Sequence, residues 1–215
     1  KYKVKGKALD IGCGAGHYLV SLDKRIKCHF SYYGYDATSY YIELARKAFF
    51  KETQANPLRL KTVFEIGDIF NLPLNDEFAD VVMCSNLLHH LPSITKPIQE
   101  LLRITKKYVT IRMLIGKVSF RIKQINPPEE YTKDGEPLNF NYFNIYSEKY
   151  IESLVHALKG VKEYNLFPDT KFDSNNIGNS NYKGKAVPHD LTTIINGMQV
   201  NNYIILPWHF LIIRK

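Results

Sequence analysis

Nowhere in this chain do apolar residues run uninterrupted for the roughly 18 positions that a membrane-spanning helix requires, so a transmembrane helix is excluded. Cysteine is scarce. Cys13, Cys28 and Cys84 are odd in number and show no CxxC spacing, which argues against a disulfide-stapled secreted fold. A reducing compartment fits better, and the cytoplasm is the expected location. The cysteines and seven histidines show no metal-ligand spacing either, so no metal site is expected. No like-charge run reaches five residues, no segment repeats, and no second stretch carries a core of its own. With 215 residues, 45% of them apolar and 23% charged, one globular domain over 1–215 is expected rather than a disordered or fibrous chain. The net charge of +8 favours anionic partners, yet the lysines are scattered and a solvated surface accounts for them. The chain opens on Lys1 rather than Met, and a strand follows almost at once. Its natural start is therefore expected to lie outside it, and a targeting segment stays open.

What is present is an alternation of short apolar runs and helical patterns. Strands are expected at 7–11, 32–35, 62–66, 79–85 and 108–114, each of the first three ending at an acidic residue or just before one. Helices are expected at about 17–24 and 40–51, the second with Ile42, Ala45 and Phe49 on one face. Pro97 marks a helix start, and Ile98, Leu101 and Leu102 follow at helical spacing. This alternation predicts a doubly wound α/β domain with a mostly parallel sheet and helices on both faces. The second half is looser. Ser147 predicts the cap of a helix that Gly160 ends. A sixth strand is expected at 161–166, a short helix at 191–195, and the last strand within 203–215. Long insertions at about 117–145 and 168–201 suit function or mobility.

The sharpest signal is Asp10-Ile11-Gly12-Cys13-Gly14-Ala15-Gly16, set between an apolar strand and a helix start. Glycines there permit a tight turn and close approach of a ligand, and ligands of open parallel sheets bind at the carboxyl ends of the strands. A dinucleotide fingerprint needs a glycine where His17 stands, and an acid just before the loop is foreign to it, so NAD and FAD are disfavoured. Asp36 ends the second strand about 20 residues after the loop, where a carboxylate can accept from a ribose diol. Asp68 ends the third strand. A single strand-end Asp is often a helix cap or a turn residue, but three successive ones share one rim of the sheet.

On these residues the chain resembles the class I methyltransferases that use S-adenosylmethionine. ALDIGCGAGHYL is similar to the family's first motif, and Tyr33-Gly34-Tyr35-Asp36-Ala37 to its second-strand motif. EIGDIFNLPL and FADVVMCSNLLHHLP are similar to the third and fourth. The resemblance runs from about Ala8 to Leu114 and continues more weakly to the end, where Leu206–Phe210 looks like the family's seventh strand. It implies a Rossmann-like, seven-stranded sheet with an antiparallel last strand, with S-adenosylmethionine as cofactor and S-adenosylhomocysteine as product. It implies roles as well. Asp10 organises the glycine loop and helps place the methionine ammonium. Gly12, Cys13 and Gly14 lie against the methionyl and ribose parts. Asp36 holds the ribose diol, Ala37 packs on the adenine, and Asp68 with Ile69 meets its amino group. Ser85 and Asn86 offer carbonyls to the ammonium.

Methyl transfer from a sulfonium is an in-line displacement, so alignment and exclusion of water are the main tasks, and a base is needed only for an acceptor that loses a proton early. His90, slightly ahead of His89, is the candidate base, although either ring also suits simple packing. Arg112, Arg121 and Lys123 are candidates for a phosphate or carboxylate, and the aromatics of 117–145 for covering a substrate or for packing under a loop. Three readings stand. A small-molecule methyltransferase comes first, and an RNA or protein methyltransferase second, although the Asn-Pro-Pro-Glu of 126–129 follows the wrong strand for base-amine chemistry. A non-catalytic partner subunit comes third. Replacing Asp36 with Ala is expected to weaken cofactor binding by about one to two decades in calorimetric titration; unchanged affinity would mean the ribose is held elsewhere.

Overall fold

The computed structural model describes residues 6–25, 30–55, 61–170, 192–195, 198–201 and 204–215. The first half runs β1 (Gly6–Ile11), α1 (His17–Arg25), β2 (Phe30–Asp36), α2 (Ser39–Ala55), β3 (Lys61–Ile66), β4 (Ala79–Ser85), a 3₁₀ turn (Leu88–His90), α3 (Thr95–Ile104) and β5 (Thr105–Gly116). The second half adds β6 (Lys123–Ile125), β7 (Phe140–Tyr142), β8 (Tyr146–Ser147), α4 (Glu148–Ala157), β9 (Glu163–Pro168), β10 (Thr192–Ile195), β11 (Met198–Asn201), β12 (Ile204–Ile205) and β13 (Trp208–Arg214).

The main sheet has the order β3-β2-β1-β4-β5-β13-β9, with the short β8 beside the end of β5. The first five of these strands pair in parallel, whereas β13 is antiparallel to both β5 and β9. This is the expected Rossmann-like sheet with its antiparallel last strand. The order reverses between β1 and β4. In doubly wound sheets the ligand crevice opens at that reversal, beyond the carboxyl ends of the strands.

Two cores flank the sheet, and side-chain alternation along the strands sorts residues between them. Leu9, Ile11, Val82 and Ile111 point to one side, where Ile98 and Leu101 of α3 and Ile151 and Val155 of α4 cover them. Tyr32 and Phe64 point to the other, under Leu19 of α1 and Ile42, Ala45 and Phe49 of α2. Because both faces of β4 are covered, its sequence is apolar almost throughout.

Helix α4 begins as the sequence predicts, with the Ser147 side chain accepting from the Tyr150 amide. Other expectations need correction. Helix α3 starts two residues before Pro97. Helix α4 stops at Ala157, and Gly160, at φ 81°, lies in the following turn rather than at the cap. The sixth strand is shifted to 163–168. Residues 192–195 are a strand paired with 198–201, not a helix, because Thr-Thr-Ile-Ile is a β-branched run that fits a ladder better than a helical turn; Leu191 lies outside the described residues. The last strand is two strands, β12 and β13, interrupted at Leu206-Pro207, where proline lacks the ladder donor. The segment 117–145 holds the β6–β7 hairpin, pinned to the body where the Phe120 amide donates to the Ile145 carbonyl at 2.8 Å. Most of 168–201 lies outside the described residues. No described helix is long and apolar enough to cross a membrane.

Gly34 stands in register with Asp10, and a Cβ there would sit 2.8 Å from Phe64 and 2.9 Å from the Cys13 sulfur. Gly34→Ala should therefore cost about 1–3 kcal/mol by overpacking and lower Tm by about 2–12 °C in a calorimetric melt. An unchanged Tm would contradict this packing.

Candidate active site

The turn after β1 is built on backbone that only glycine adopts readily. Gly12, Gly14 and Gly16 have φ of 75°, 52° and 81°. The Gly12 and Cys13 amides donate to the Tyr35 carbonyl at 2.7 and 3.1 Å, which fastens the turn to the end of β2. A Cβ at Gly14 would meet nothing within 4 Å, so the turn is open to one side there, whereas one at Gly16 would strike Phe49 at 2.6 Å. Cys13 is buried in the α1–α2 core, and burial pushes its thiol well above the usual range.

Asp10, at 1% exposure, is the buried acid of the site. Its Oδ2 accepts from the Tyr32 hydroxyl at 2.6 Å, and its Oδ1 has no protein partner. Burial raises its pKa to about 6; the Tyr32 hydrogen bond opposes that rise and the nearby Asp36 charge adds to it. Asp36 braces the turn with both oxygens, Oδ2 accepting from the Gly14 amide at 3.0 Å and Oδ1 from the Thr38 amide at 2.9 Å. Ala37 is exposed beside it. Asp68 is exposed at the end of β3, where its Oδ1 accepts from the Phe70 amide at 3.0 Å. Ile69 is buried in the core, so any part it takes at the rim is a backbone one.

The far wall is a knot that sequence reasoning missed. Asn86 follows Ser85, the last residue of β4, in a left-handed conformation at φ 59°. Its Oδ1 accepts from Arg112 Nη1 at 2.6 Å, and its amide donates to the Arg112 carbonyl at 2.9 Å. Arg112 Nε donates to Asp169 Oδ2 at 2.9 Å, and the guanidinium lies 4.1 Å over the Trp208 ring. Arg112, expected as a substrate-anion ligand, is thus committed to protein partners. Arg121 donates to the Pro92 carbonyl, and Lys123 pairs with Glu136. Neither the Arg112–Asp169 pairing nor the Tyr32–Asp10 bond has a local motif; both follow only from strand register.

The two histidines separate. His89 is buried, with centroids 3.9 Å from His90, 5.5 Å from Phe143 and 5.4 Å from Trp208, and its Nδ1 has no partner. Burial, with His90 and Arg112 nearby, pushes its pKa down to about 3. His90 is exposed at the rim, and its Nδ1 lies 3.0 Å from the Tyr142 carbonyl. A carbonyl only accepts, so that bond places the proton of a neutral His90 on Nδ1 and leaves Nε2 as the acceptor. His17 is an exposed first residue of α1. Cys84 is a core residue, and Cys28 lies outside the described residues.

The arrangement fits S-adenosylmethionine on the donor set alone. An orphaned buried carboxylate oxygen, an open glycine turn and acids at three strand ends suit a ligand that carries two cationic groups, a diol and an amine. Comparison with known proteins agrees. The family model for the methyltransferase domain matches residues 3–174. The chain is 29% identical over 105 residues, 49% of its length and 38% of the relative's, to the uncharacterized methyltransferase YcgJ of Bacillus subtilis. It is 29% identical over 104 residues, 48% of its length and 41% of the relative's, to the demethylmenaquinone methyltransferase of Staphylococcus haemolyticus. The chain thus spans well under half the length of these relatives. The crystal structure of a SAM-dependent methyltransferase from Methanosarcina mazei superposes with a TM-score of 0.61 at 16% identity, covering 100% of this chain and 94% of that one, which supports the fold.

The buried groups give a signed pH dependence. His89 has its pKa lowered on folding, so its contribution to stability is full above about 6.5 and is lost as pH falls toward about 3, at up to about 1.4 kcal/mol per pH unit. Asp10 acts with the opposite sign, its contribution full below the ordinary carboxylate range and lost as pH rises through about 6. The stability difference between wild type and His89→Gln isolates the histidine. In denaturant titrations it should be constant above pH 6.5 and shrink as pH falls to 4.5; a pH-independent difference would place His89 in solvent.

Proposed function

The chain belongs to the methyltransferase-domain family, and we propose that it moves a methyl group from S-adenosylmethionine to an oxygen, nitrogen or carbon of a small-molecule acceptor. The observation that carries this reading is Asp10 Oδ1, buried and without a protein partner at the end of β1, just before a glycine turn that is open at Gly14. An orphaned carboxylate oxygen is costly in a folded protein unless a ligand supplies the donor, and an ammonium is a strong one.

The remaining rim residues follow. Asp36 uses one acceptor site on each oxygen for the turn, and a carboxylate offers about four, so it can still receive a ribose diol. Gly12, Cys13 and Gly14 bring backbone close to the methionyl and ribose parts. Ala37 lines the adenine side, Asp68 and the Ile69 backbone meet the adenine amine, and Ser85 and Asn86 supply carbonyls to the ammonium. When bound, S-adenosylmethionine supplies a methyl group on a sulfonium, already activated for displacement. The protein's own work is alignment and exclusion of water. His90, with Nε2 free to accept, is placed to take a proton from an acceptor oxygen or nitrogen. His89 is not, because its ring is buried and held neutral. The engagement of Arg112 by Asp169, and the similarity to a demethylmenaquinone methyltransferase, support a small acceptor rather than a phosphate backbone.

Calorimetric titration with S-adenosylmethionine, S-adenosylhomocysteine and NAD tests the cofactor. Micromolar binding of the first two with NAD silent is expected, and NAD binding alone would overturn the reading. A radiolabelled-methyl screen then tests the acceptor. Label in small molecules is expected, and label confined to RNA or protein would transfer the site to a macromolecular acceptor.

A further inference from the structure

Tyr32 is a fully buried residue in the middle of β2, paired in register with Ala8 of β1 and Thr62 of β3. A tyrosine there is unusual company for the glycine turn, since a buried hydroxyl must find a partner. It finds Asp10, 2.6 Å away and itself buried. Tyr32, Gly34 and Asp36 alternate along one face of β2, and Asp10 stands opposite Gly34 in register. The bare Gly34 keeps this face uncrowded, with Phe64 and the Cys13 sulfur already in contact range of a side chain there. Phe at position 32 would fill the same core beside Phe64, whose ring centroid is 5.7 Å away. The hydroxyl is therefore the part that core packing does not explain.

We propose that Tyr32 is a positioning residue for cofactor binding, its hydroxyl tethering one oxygen of Asp10 so that the other keeps one orientation and remains free for the cofactor's amino group. This rests on the cofactor reading given above. A carboxylate is two-fold symmetric about its bond to Cβ, and without a tether a buried one turns toward whatever donor it can reach, or takes up a proton. Tyr32 blocks the first and opposes the second. Burial and the Asp10 charge push its phenol well above the ordinary range, so it stays a donor at every physiological pH. The other titratable groups facing Asp10 are Asp36 at the end of β2, Cys13 of the turn and Cys84 of β4. Both thiols are held neutral by burial, and Asp36 repels the Asp10 charge. Tyr32 is therefore the side chain that favours an ionised Asp10, against burial and Asp36. A hydrogen bond to a charged group is worth about one to two pKa units.

The test is calorimetric titration of S-adenosylhomocysteine between pH 5.5 and 7.5, where its amino group stays charged, on wild type, Tyr32→Phe and Asp10→Asn. In wild type the affinity should fall as pH drops below about 6. In Tyr32→Phe the midpoint of that fall should move up by about one to two units, so that the ratio of affinities grows from a few-fold at pH 7.5 to about tenfold or more at pH 5.5. Asp10→Asn should bind weakly with no pH dependence over this range. A uniform weakening of Tyr32→Phe with the midpoint unmoved would reduce Tyr32 to a packing residue and overturn the inference. Absence of binding by wild type at every pH would overturn the cofactor reading and the inference with it. A second readout needs only the wild-type protein. A tyrosine hydroxyl proton protected in this bond should give a separate downfield proton line in the S-adenosylhomocysteine complex, and its absence would count against the tether even if Tyr32→Phe did not fold.

Discussion

The Tyr32 hydroxyl and the Asp10 carboxylate, joined at 2.6 Å inside the sheet, fix the chemistry of the rim. A carboxylate at 1% exposure is an expensive thing to bury. Tyr32 answers one of its oxygens from within the core, and the other is left without a protein donor. Around it the backbone makes room. Gly12, Gly14 and Gly16 turn through positive φ, the turn is tied to Tyr35, and Asp36 holds the Gly14 amide from the next strand. Two acids thus stand close together at a site where their mutual repulsion destabilises the empty protein and favours a cationic ligand.

The opposite wall works by the reverse logic. There every strong charge is answered. Arg112 is held by Asp169 and Asn86 and lies over Trp208, while His89 is kept neutral by burial against His90, Phe143 and Trp208. Arg112 and Asp169 are both largely shielded from solvent, so removing either leaves the other's charge uncompensated. Asn86, in its left-handed conformation, follows the end of β4 and is gripped by Arg112. His90 stands outside the knot, with Nδ1 on the Tyr142 carbonyl and Nε2 free to accept.

The parallel strands and the glycine turn were legible in the sequence because their signals are local. An apolar run such as Ala79–Ser85 and a glycine triplet behind an acid each follow from a few adjacent residues. The acids at the ends of β1, β2 and β3 were legible because alternation of strands and helices places strand ends on one edge. What stayed hidden depends on register. Tyr32 reaches Asp10 only because Ala8 pairs with Tyr32 and Asp10 with Gly34. Arg112 reaches Asp169 because β13 enters antiparallel between β5 and β9. The helix expected at 191–195 failed for a different reason: four β-branched residues carry no period that separates a helix from a strand, and pairing with 198–201 decided the matter. The different surroundings of His89 and His90 likewise depend on which ring the segment 140–146 covers, a contact made by residues more than 50 positions away.

The most direct measurement is a crystal structure of the protein with S-adenosylhomocysteine. The expected result is ligand density over Gly14, with the amino group within hydrogen-bond distance of Asp10 Oδ1, directly or through one ordered water, and with the Tyr32–Asp10 bond retained. Density elsewhere, or a bound ligand that leaves Asp10 Oδ1 without a partner, would contradict the central role given to that carboxylate.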